Sequence, residues 1–176
     1  LFSANAIIKQ LLETEIPNTK NIEFKLNISA NKLKNFDNFT NIFLNSINLE
    51  HKIYTINDNV VSSEKFELGV SYCYPRKILT PLLTTPKKGF VNYHPGLLPK
   101  YKGPTELKDA IKNKEIHWGV TVHHMDEDYD TGSIIQIKQI ELHEPPTSEQ
   151  ELGAVSHYFL FELFKETILN IFEERL

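Results

Sequence analysis

Two short stretches hold the side chains best suited to chemistry: FVNYHPGLLPKYKG at positions 90–103 and MDEDYDTG at 125–132. In the first, Asn92 and His94 lie two positions apart in an apolar run that predicts a buried strand ended by a proline. Their side chains therefore share one side of a strand end. The second stretch supplies Asp130, a carboxylate on a loop between two strand-like runs, which could orient the imidazole.

These three residue types have complementary chemistry. An imidazole exchanges protons near neutral pH, a buried carboxylate fixes its tautomer and stabilises its charged form, and an amide donates to a developing oxyanion. The combination suits acyl transfer to an amine, and direct transfer is the simpler mechanism because no Ser, Cys or Thr adjoins His94. The alternative to a catalytic role is a purely structural one. In that case His94 would hydrogen-bond to a turn, Asn92 would act as a capping residue and Asp130 would begin a turn.

Apolar periodicity predicts the elements that must position these residues. Strands alternate with helices in the first half of the chain, which indicates an α/β fold with a mostly parallel, twisted sheet covered by helices on both faces. In such sheets ligands bind beyond the carboxyl ends of the strands. Residues 1–3 are predicted to be the end of a strand, and further strands are predicted at 22–28, 53–56, 68–74, 90–93, 119–124 and 134–142. Helices are predicted at 6–16, 36–47, 76–83, 106–113 and over a long segment after 148.

Length and composition narrow the class of protein. With 176 residues, 40% of them hydrophobic, the chain is expected to form a single catalytic domain over 1–176 whose N-terminal strand is incomplete. A net charge of -4 argues against nucleic acid as a partner, since phosphate binding needs clustered Lys and Arg. No apolar run is long enough to predict a membrane span. A single cysteine, Cys73, excludes an intramolecular disulfide, and a cytoplasmic location is expected.

The motifs together resemble a known family. The run NYHPGLLPKYKG, followed by GVTVHHMDEDYDTGSIIQ with Asp130 placed 36 positions after His94, is similar to the 10-formyltetrahydrofolate-dependent formyltransferases. That family includes glycinamide ribonucleotide, methionyl-tRNA and sugar-amine N-formyltransferases. The resemblance is clearest over 68–136 and implies a Rossmann-like, formyltransferase-type fold.

The resemblance also implies roles for individual residues. Asn92 would polarise the formyl oxygen, His94 would carry the proton, and Asp130 would orient and assist His94 while a substrate amine attacks 10-formyltetrahydrofolate. No metal is implied. The co-substrate would be bound, largely through backbone groups, by two loops that contain Lys77, Ile78, Leu79, Glu127 and Asp128.

The identity of the acceptor amine stays open at this point. Glycinamide ribonucleotide enzymes have a glycine-rich turn after the first strand, whereas the matching segment here, FSANAI, has no glycine. A small amine is therefore expected, either an amino sugar or a glycinamide-ribonucleotide-like compound. The alternatives are a hydrolase that releases formate from the same compound, and a catalytically weak folate-binding or regulatory protein, suggested by the short crossover at 57–67.

Other polar groups have simpler interpretations. Lys100 and Lys102 could hold a phosphate or the folate tail, although a solvated basic loop is the default. His123 and His124 lie in a strand and point to opposite faces, so they are not expected to share a metal; His123 nevertheless matches a recurrent family position. The wide apolar face of the C-terminal helix predicts either core packing or a homodimer contact.

Overall fold

The computed structural model describes residues 24–28, 51–55, 67–72, 77–172 and 175. These residues belong to two compact units, one with 24–28 and 51–55 and the other with the remainder. Each unit is described by itself, and the single catalytic domain over 1–176 stays a prediction.

The first unit contains two parallel strands, β1 (Phe24–Ile28) and β2 (His51–Thr55). Both were expected, β1 from the alternation of apolar and polar residues and β2 as a short strand, and both are confirmed within about two residues at each end. The predicted strand end at 1–3, the helices at 6–16 and 36–47, and nearly all of the crossover at 57–67 lie outside the described residues.

The second unit is built on a four-stranded mixed sheet. Its strands, in spatial order, are β3 (Gly69–Tyr72), β4 (Phe90–His94), β5 (His117–His124) and β6 (Ile134–Glu141). β3 and β4 run parallel, whereas β4, β5 and β6 are antiparallel neighbours. The α/β fold is confirmed, and the two strand-like runs on either side of the loop that contains Asp130 form the antiparallel pair of β5 and β6.

Three helices accompany this sheet: α1 (Thr80–Leu83), α2 (Glu106–Lys112) and α3 (Glu149–Phe172). The predicted helix at 76–83 was too long at its start, because Pro81 has no N–H to donate and fits best in the first turn. Two hydrogen bonds cap the start of α3. Ser148 Oγ accepts from the Glu151 N–H at 3.2 Å, and the Glu151 carboxylate accepts from the Thr147 N–H at 2.9 Å.

The main core of the second unit lies between α3 and the sheet. Polar bonds fix the position of the helix: the Trp118 indole N–H donates to Ser156 at 2.8 Å, and the Tyr93 hydroxyl lies 2.8 Å from the Thr167 hydroxyl. The apolar face of α3 therefore packs in the core, and a homodimer through this helix stays a prediction. The buried apolar residues of the sheet and α3 include Val91, Tyr93, Trp118, Val120, Val122, Leu152, Leu160, Leu163 and Phe164.

None of the helices in the described ranges combines the length and the apolar character that a membrane span requires.

Candidate active site

The three residues singled out in the sequence lie together at the carboxyl end of β4. Asp130 Oδ1 accepts a hydrogen bond from Asn92 Nδ2 at 3.2 Å, and Asp130 Oδ2 lies 3.4 Å from His94 Nδ1. The side chains of His94 and Asp130 are only 5% and 9% exposed. An amide, an imidazole and a carboxylate thus form one cluster that is largely removed from water.

Asp130 is held in place by its backbone and by a neighbouring loop. Its φ of 54° is in the left-handed region, which Asp and Asn adopt more readily than most other residues. The Gly103 N–H donates to its Oδ2 at 2.8 Å. The loop that contains Asp130 starts at Met125, whose N–H donates to the Phe90 carbonyl at 2.8 Å. The carboxylate is therefore positioned by the return of two loops towards β4.

The tautomer of His94 is set by a backbone carbonyl. His94 Nε2 lies 2.7 Å from the Tyr101 oxygen, and because a carbonyl can only accept, Nε2 carries a hydrogen. The proton that His94 gains or loses is therefore on Nδ1, the nitrogen that faces Asp130. When that proton is present, the two side chains form an ion pair.

Burial and charge act in opposite directions on this pair. Burial lowers the pKa of His94, and the charge of Asp130 and the Tyr101 carbonyl only partly oppose that effect. Burial by itself would raise the pKa of Asp130, but the His123 and His94 rings and the Gly103 N–H lower it overall. Near neutral pH the site therefore combines an ionised carboxylate with an imidazole in its neutral form, which has a free lone pair on Nδ1 for a proton.

His123, which matches a recurrent position of the family that the sequence resembles, belongs to the same cluster. Its Nε2 lies 3.2 Å from Asn92 Nδ2 and 3.3 Å from Asp130 Oδ1, and its side chain is 2% exposed. Its Nδ1 donates to the His124 carbonyl at 2.7 Å. The antiparallel register that pairs Asn92 with His123 brings it here. Alternation along β5 predicts which face of the sheet His123 occupies. Only the register between β4 and β5 shows that Asn92 is its neighbour.

The loop after β4 is tied to β5 by a buried threonine. The Thr121 hydroxyl donates to the Gly96 carbonyl at 2.8 Å and accepts from the Leu98 N–H at 3.2 Å. A Cβ at Gly96 would lie 2.7 Å from His94 Nε2, so a larger residue would collide with the imidazole. Because Gly96 has no side chain and Thr121 bonds to the loop, the loop after β4 can lie close to His94.

Tyr101, whose carbonyl sets the His94 tautomer, is itself held by Glu115. The Tyr101 hydroxyl donates to the Glu115 carboxylate at 2.7 Å, and the His117 N–H donates to its other oxygen at 3.1 Å. The same carboxylate is paired with Lys100. The hydrogen bond from Lys100 is the largest cause that lowers the pKa of Glu115 to about 2. This pairing accounts for Lys100, whereas Lys102 is exposed.

Replacing this carboxylate tests the network. The pKa of Glu115 falls from an ordinary 4.5 to about 2 in the fold, so the ionised form stabilises the protein above about pH 4.5 and loses this effect as the pH falls towards 2. Glu115→Gln is expected to lower the free energy of unfolding by about 2 kcal/mol at pH 7. Urea titrations at several pH values measure the difference.

The control for that variant is Glu166→Gln, which removes one carboxylate from the more exposed pair with Lys138 and should cost less than about 1 kcal/mol. A Glu115→Gln deficit that stays constant from pH 7 to pH 2.5 would contradict the assignment.

A cavity of about 290 Å³ opens beside the cluster. Lys77, Ile78 and Asp128, three of the residues predicted to bind the co-substrate, line it, and Lys77 Nζ lies 3.9 Å from Asp128. Leu79 and Glu127 do not line this cavity. Leu79 is 50% exposed, and Glu127 accepts a hydrogen bond from Thr80 at 3.1 Å. Further lining residues are Ser71, Asn92, His94, Gly103, Glu106, His123, Met125, Tyr129 and Asp130.

Within the described ranges, the structure has no group of three or more His, Cys, Asp or Glu side chains arranged to hold a metal ion.

The two neighbouring histidines of β5 lie on opposite faces of the strand. His123 is buried and His124 is exposed, as the alternation in β5 predicts.

Fold and site together define a class of protein: an α/β protein with a buried proton-exchanging pair and an amide beside a ligand-sized cavity. The family model described as "Formyl transferase" matches residues 31–159. The chain belongs to the formyl transferase family, as its motifs predicted.

Several relatives share part of this sequence. The trifunctional purine biosynthetic protein adenosine-3 of Chironomus tentans is 46% identical over 74 residues, which cover 42% of this chain and 5% of that protein. GDP-perosamine N-formyltransferase of Brucella melitensis is 37% identical over 95 residues, covering 49% of this chain and 37% of that enzyme. Methionyl-tRNA formyltransferase of Staphylococcus epidermidis is 31% identical over 118 residues, covering 65% and 37%. The chain thus spans well under two thirds of the length of these relatives.

Solved structures share the fold. A sugar N-formyltransferase from a Shewanella species superposes with a TM-score of 0.73 at 22% identity, covering 97% of this chain and 65% of that one. Phosphoribosylglycinamide formyltransferase from Streptococcus pneumoniae gives a TM-score of 0.62 at 17% identity, covering 85% and 98%. The architecture is that of formyltransferases.

Proposed function

We propose that this protein transfers the formyl group of 10-formyltetrahydrofolate to a primary amine of a small substrate, such as an amino sugar or a glycinamide-ribonucleotide-like compound. The observation that carries the proposal is the buried cluster of Asn92, His94 and Asp130 on the wall of the cavity. A structural neighbour from Anoxybacillus kamchatkensis was solved with a formamido sugar nucleotide and tetrahydrofolate, which supports folate as the donor class.

The proton chemistry follows from the His94 geometry. As the amine nitrogen attacks the formyl carbon, neutral His94 takes a proton on Nδ1 and becomes an imidazolium paired with Asp130. The imidazolium then protonates N10 of the folate as the bond between N10 and the formyl carbon breaks. His94 is neutral again at the end of the cycle, and no covalent enzyme intermediate is required.

Asn92 would stabilise the developing oxyanion on the formyl oxygen. Its Nδ2 already donates to Asp130 at 3.2 Å and faces His123 Nε2 at 3.2 Å. Both amide hydrogens are thus engaged in this arrangement. Donation to the formyl oxygen requires one of these contacts to exchange when the donor binds, and His123 is the partner that can be released without breaking the bond to the carboxylate.

The folate ring would occupy the part of the cavity lined by Lys77, Ile78 and Asp128. Leu79 and Glu127 would contribute from outside this lining, and Glu127 accepts a hydrogen bond from Thr80, the first residue of α1. We further propose a cytoplasmic role in one-carbon metabolism for the protein, and a homodimer as one form of its assembly.

The test is an amine-dependent release of tetrahydrofolate. The protein is incubated with 10-formyltetrahydrofolate and a panel of amino sugars and glycinamide ribonucleotide, with His94→Ala as the matched control. We expect release with at least one amine and a loss of about 10² to 10⁴-fold in the control, the range of general acid–base catalysis. Turnover no faster than that of His94→Ala would refute the proposal, and release without any amine would identify a hydrolase.

A further inference from the structure

Glu106, the first residue of α2, has an unusual carboxylate. Glu106 is one of the residues that line the same cavity as His94 and Asp130. Its Oε2 is buried and has no hydrogen-bond partner among the residues that the structure describes. A buried acceptor without a donor is costly, and such groups are rare unless a ligand supplies the missing hydrogen bond.

The surroundings of Glu106 favour a cation as that ligand. Burial is the largest cause that raises the pKa of Glu106, and a hydrogen bond from its own backbone N–H opposes it. Among the described residues, the ionisable groups that act on it are three carboxylates, those of Asp130, Glu149 and Asp109, and all three raise the pKa further. Lys77 also lines the cavity, but its ammonium group lies near Asp128. A positively charged group that entered the cavity would therefore be attracted to Glu106.

The proposed reaction brings such a group into the cavity and also requires a second proton acceptor. The primary amine of such an acceptor arrives mainly as an ammonium ion near neutral pH, since even an α-amino group has a pKa of about 7.7 to 8.0. Conversion of R–NH₃⁺ and the N10-formyl donor into R–NH–CHO and H–N10 releases one proton overall. One of the two protons lost by the nitrogen ends on N10 through His94, and the other must leave before the nitrogen lone pair can attack.

Resting on the proposed formyl transfer, we propose that Glu106 binds the ammonium group of the acceptor and takes this first proton. The Glu106 carboxylate accepts the proton from R–NH₃⁺ and leaves a neutral amine beside the formyl carbon. The new bond between nitrogen and carbon then forms, and Glu106 returns its proton to water after the product has left. Glu106 and His94 thus act on successive protons of the same nitrogen.

The test compares Glu106→Gln with Asp109→Asn. Both variants remove one carboxylate from α2, but Asp109 is exposed, accepts a hydrogen bond from Thr105 and does not line the cavity.

Initial rates are measured against the concentration of an amine that the wild type formylates, from pH 6.5 to 10. For Glu106→Gln we expect kcat/KM for the amine to fall about 10²-fold at pH 7. The difference in kcat/KM between wild type and Glu106→Gln should shrink above the pKa of the amine, because the neutral amine is then abundant and no longer has a first proton to lose. Asp109→Asn should remain within about twofold of the wild type.

The outcomes separate this inference from the function on which it rests. A wild type that formylates no amine refutes the proposed function, and the inference falls with it. A wild type that is active while Glu106→Gln matches Asp109→Asn overturns the inference alone. Tetrahydrofolate binding, measured by calorimetry, is expected to be unchanged in Glu106→Gln; a loss of folate binding in parallel with activity would place Glu106 in donor binding and would also overturn the inference.

Discussion

Asp130→Asn is expected to lower kcat/KM for formyl transfer by about 10³ to 10⁴-fold, the scale seen when a carboxylate that orients a catalytic histidine is neutralised. The charge of Asp130 stabilises the imidazolium that forms when His94 Nδ1 takes a proton. Asn suits the left-handed backbone at this position. An asparagine oxygen can keep the bond from Gly103 or the bond from Asn92, so the fold should survive with a cost of about 1 kcal/mol.

The pH profile distinguishes this role from simple structural support. Because the Asp130 charge raises the pKa of His94, its removal should move the acid limb of kcat/KM to lower pH. Steady-state rates from pH 5 to 9 measure the shift, with the exposed Asp109→Asn variant as the control. Near-normal rates in Asp130→Asn, or an unchanged acid limb with a uniformly lower rate, would show that the carboxylate does not act through His94.

Gly132→Ala is expected to lower the free energy of unfolding by about 2 to 4 kcal/mol. A Cβ at this position would lie 1.9 Å from the His124 carbonyl oxygen, far inside van der Waals contact. That oxygen accepts the hydrogen bond from His123 Nδ1, so a displaced carbonyl also moves the ring that contacts Asp130. Activity should therefore fall together with stability.

Gly153→Ala provides the matched control. Gly153 lies inside α3, and its Cβ would meet a Leu107 methyl carbon at 3.6 Å, an ordinary contact. Because alanine favours the helix, this variant should be more stable by about 0.5 to 1 kcal/mol. Urea unfolding of both variants gives the comparison. If Gly132→Ala unfolds at the wild-type urea concentration, the close approach of the 125–132 loop to β5 is not as the structure places it.

Local sequence patterns predicted much of this protein. The apolar periodicity of β5, β6 and α3 depends on neighbours in the chain, and these elements occur where they were expected. The predicted first helix of the second unit was too long, because the position of Pro81 relative to the first turn outweighed the apolar spacing. The motifs around His94 and Asp130 also identified the family.

The sequence by itself therefore determined the α/β fold class, the family and the three residues that meet at the end of β4. The tertiary structure alone decided what surrounds them. His123 reaches Asp130 through the register between β4 and β5, and the Tyr101 carbonyl reaches His94 through the return of a loop. Glu106 lines the cavity because of the position of α2. Such contacts depend on strand register and loop closure, which join residues distant in sequence and leave no periodic pattern in it.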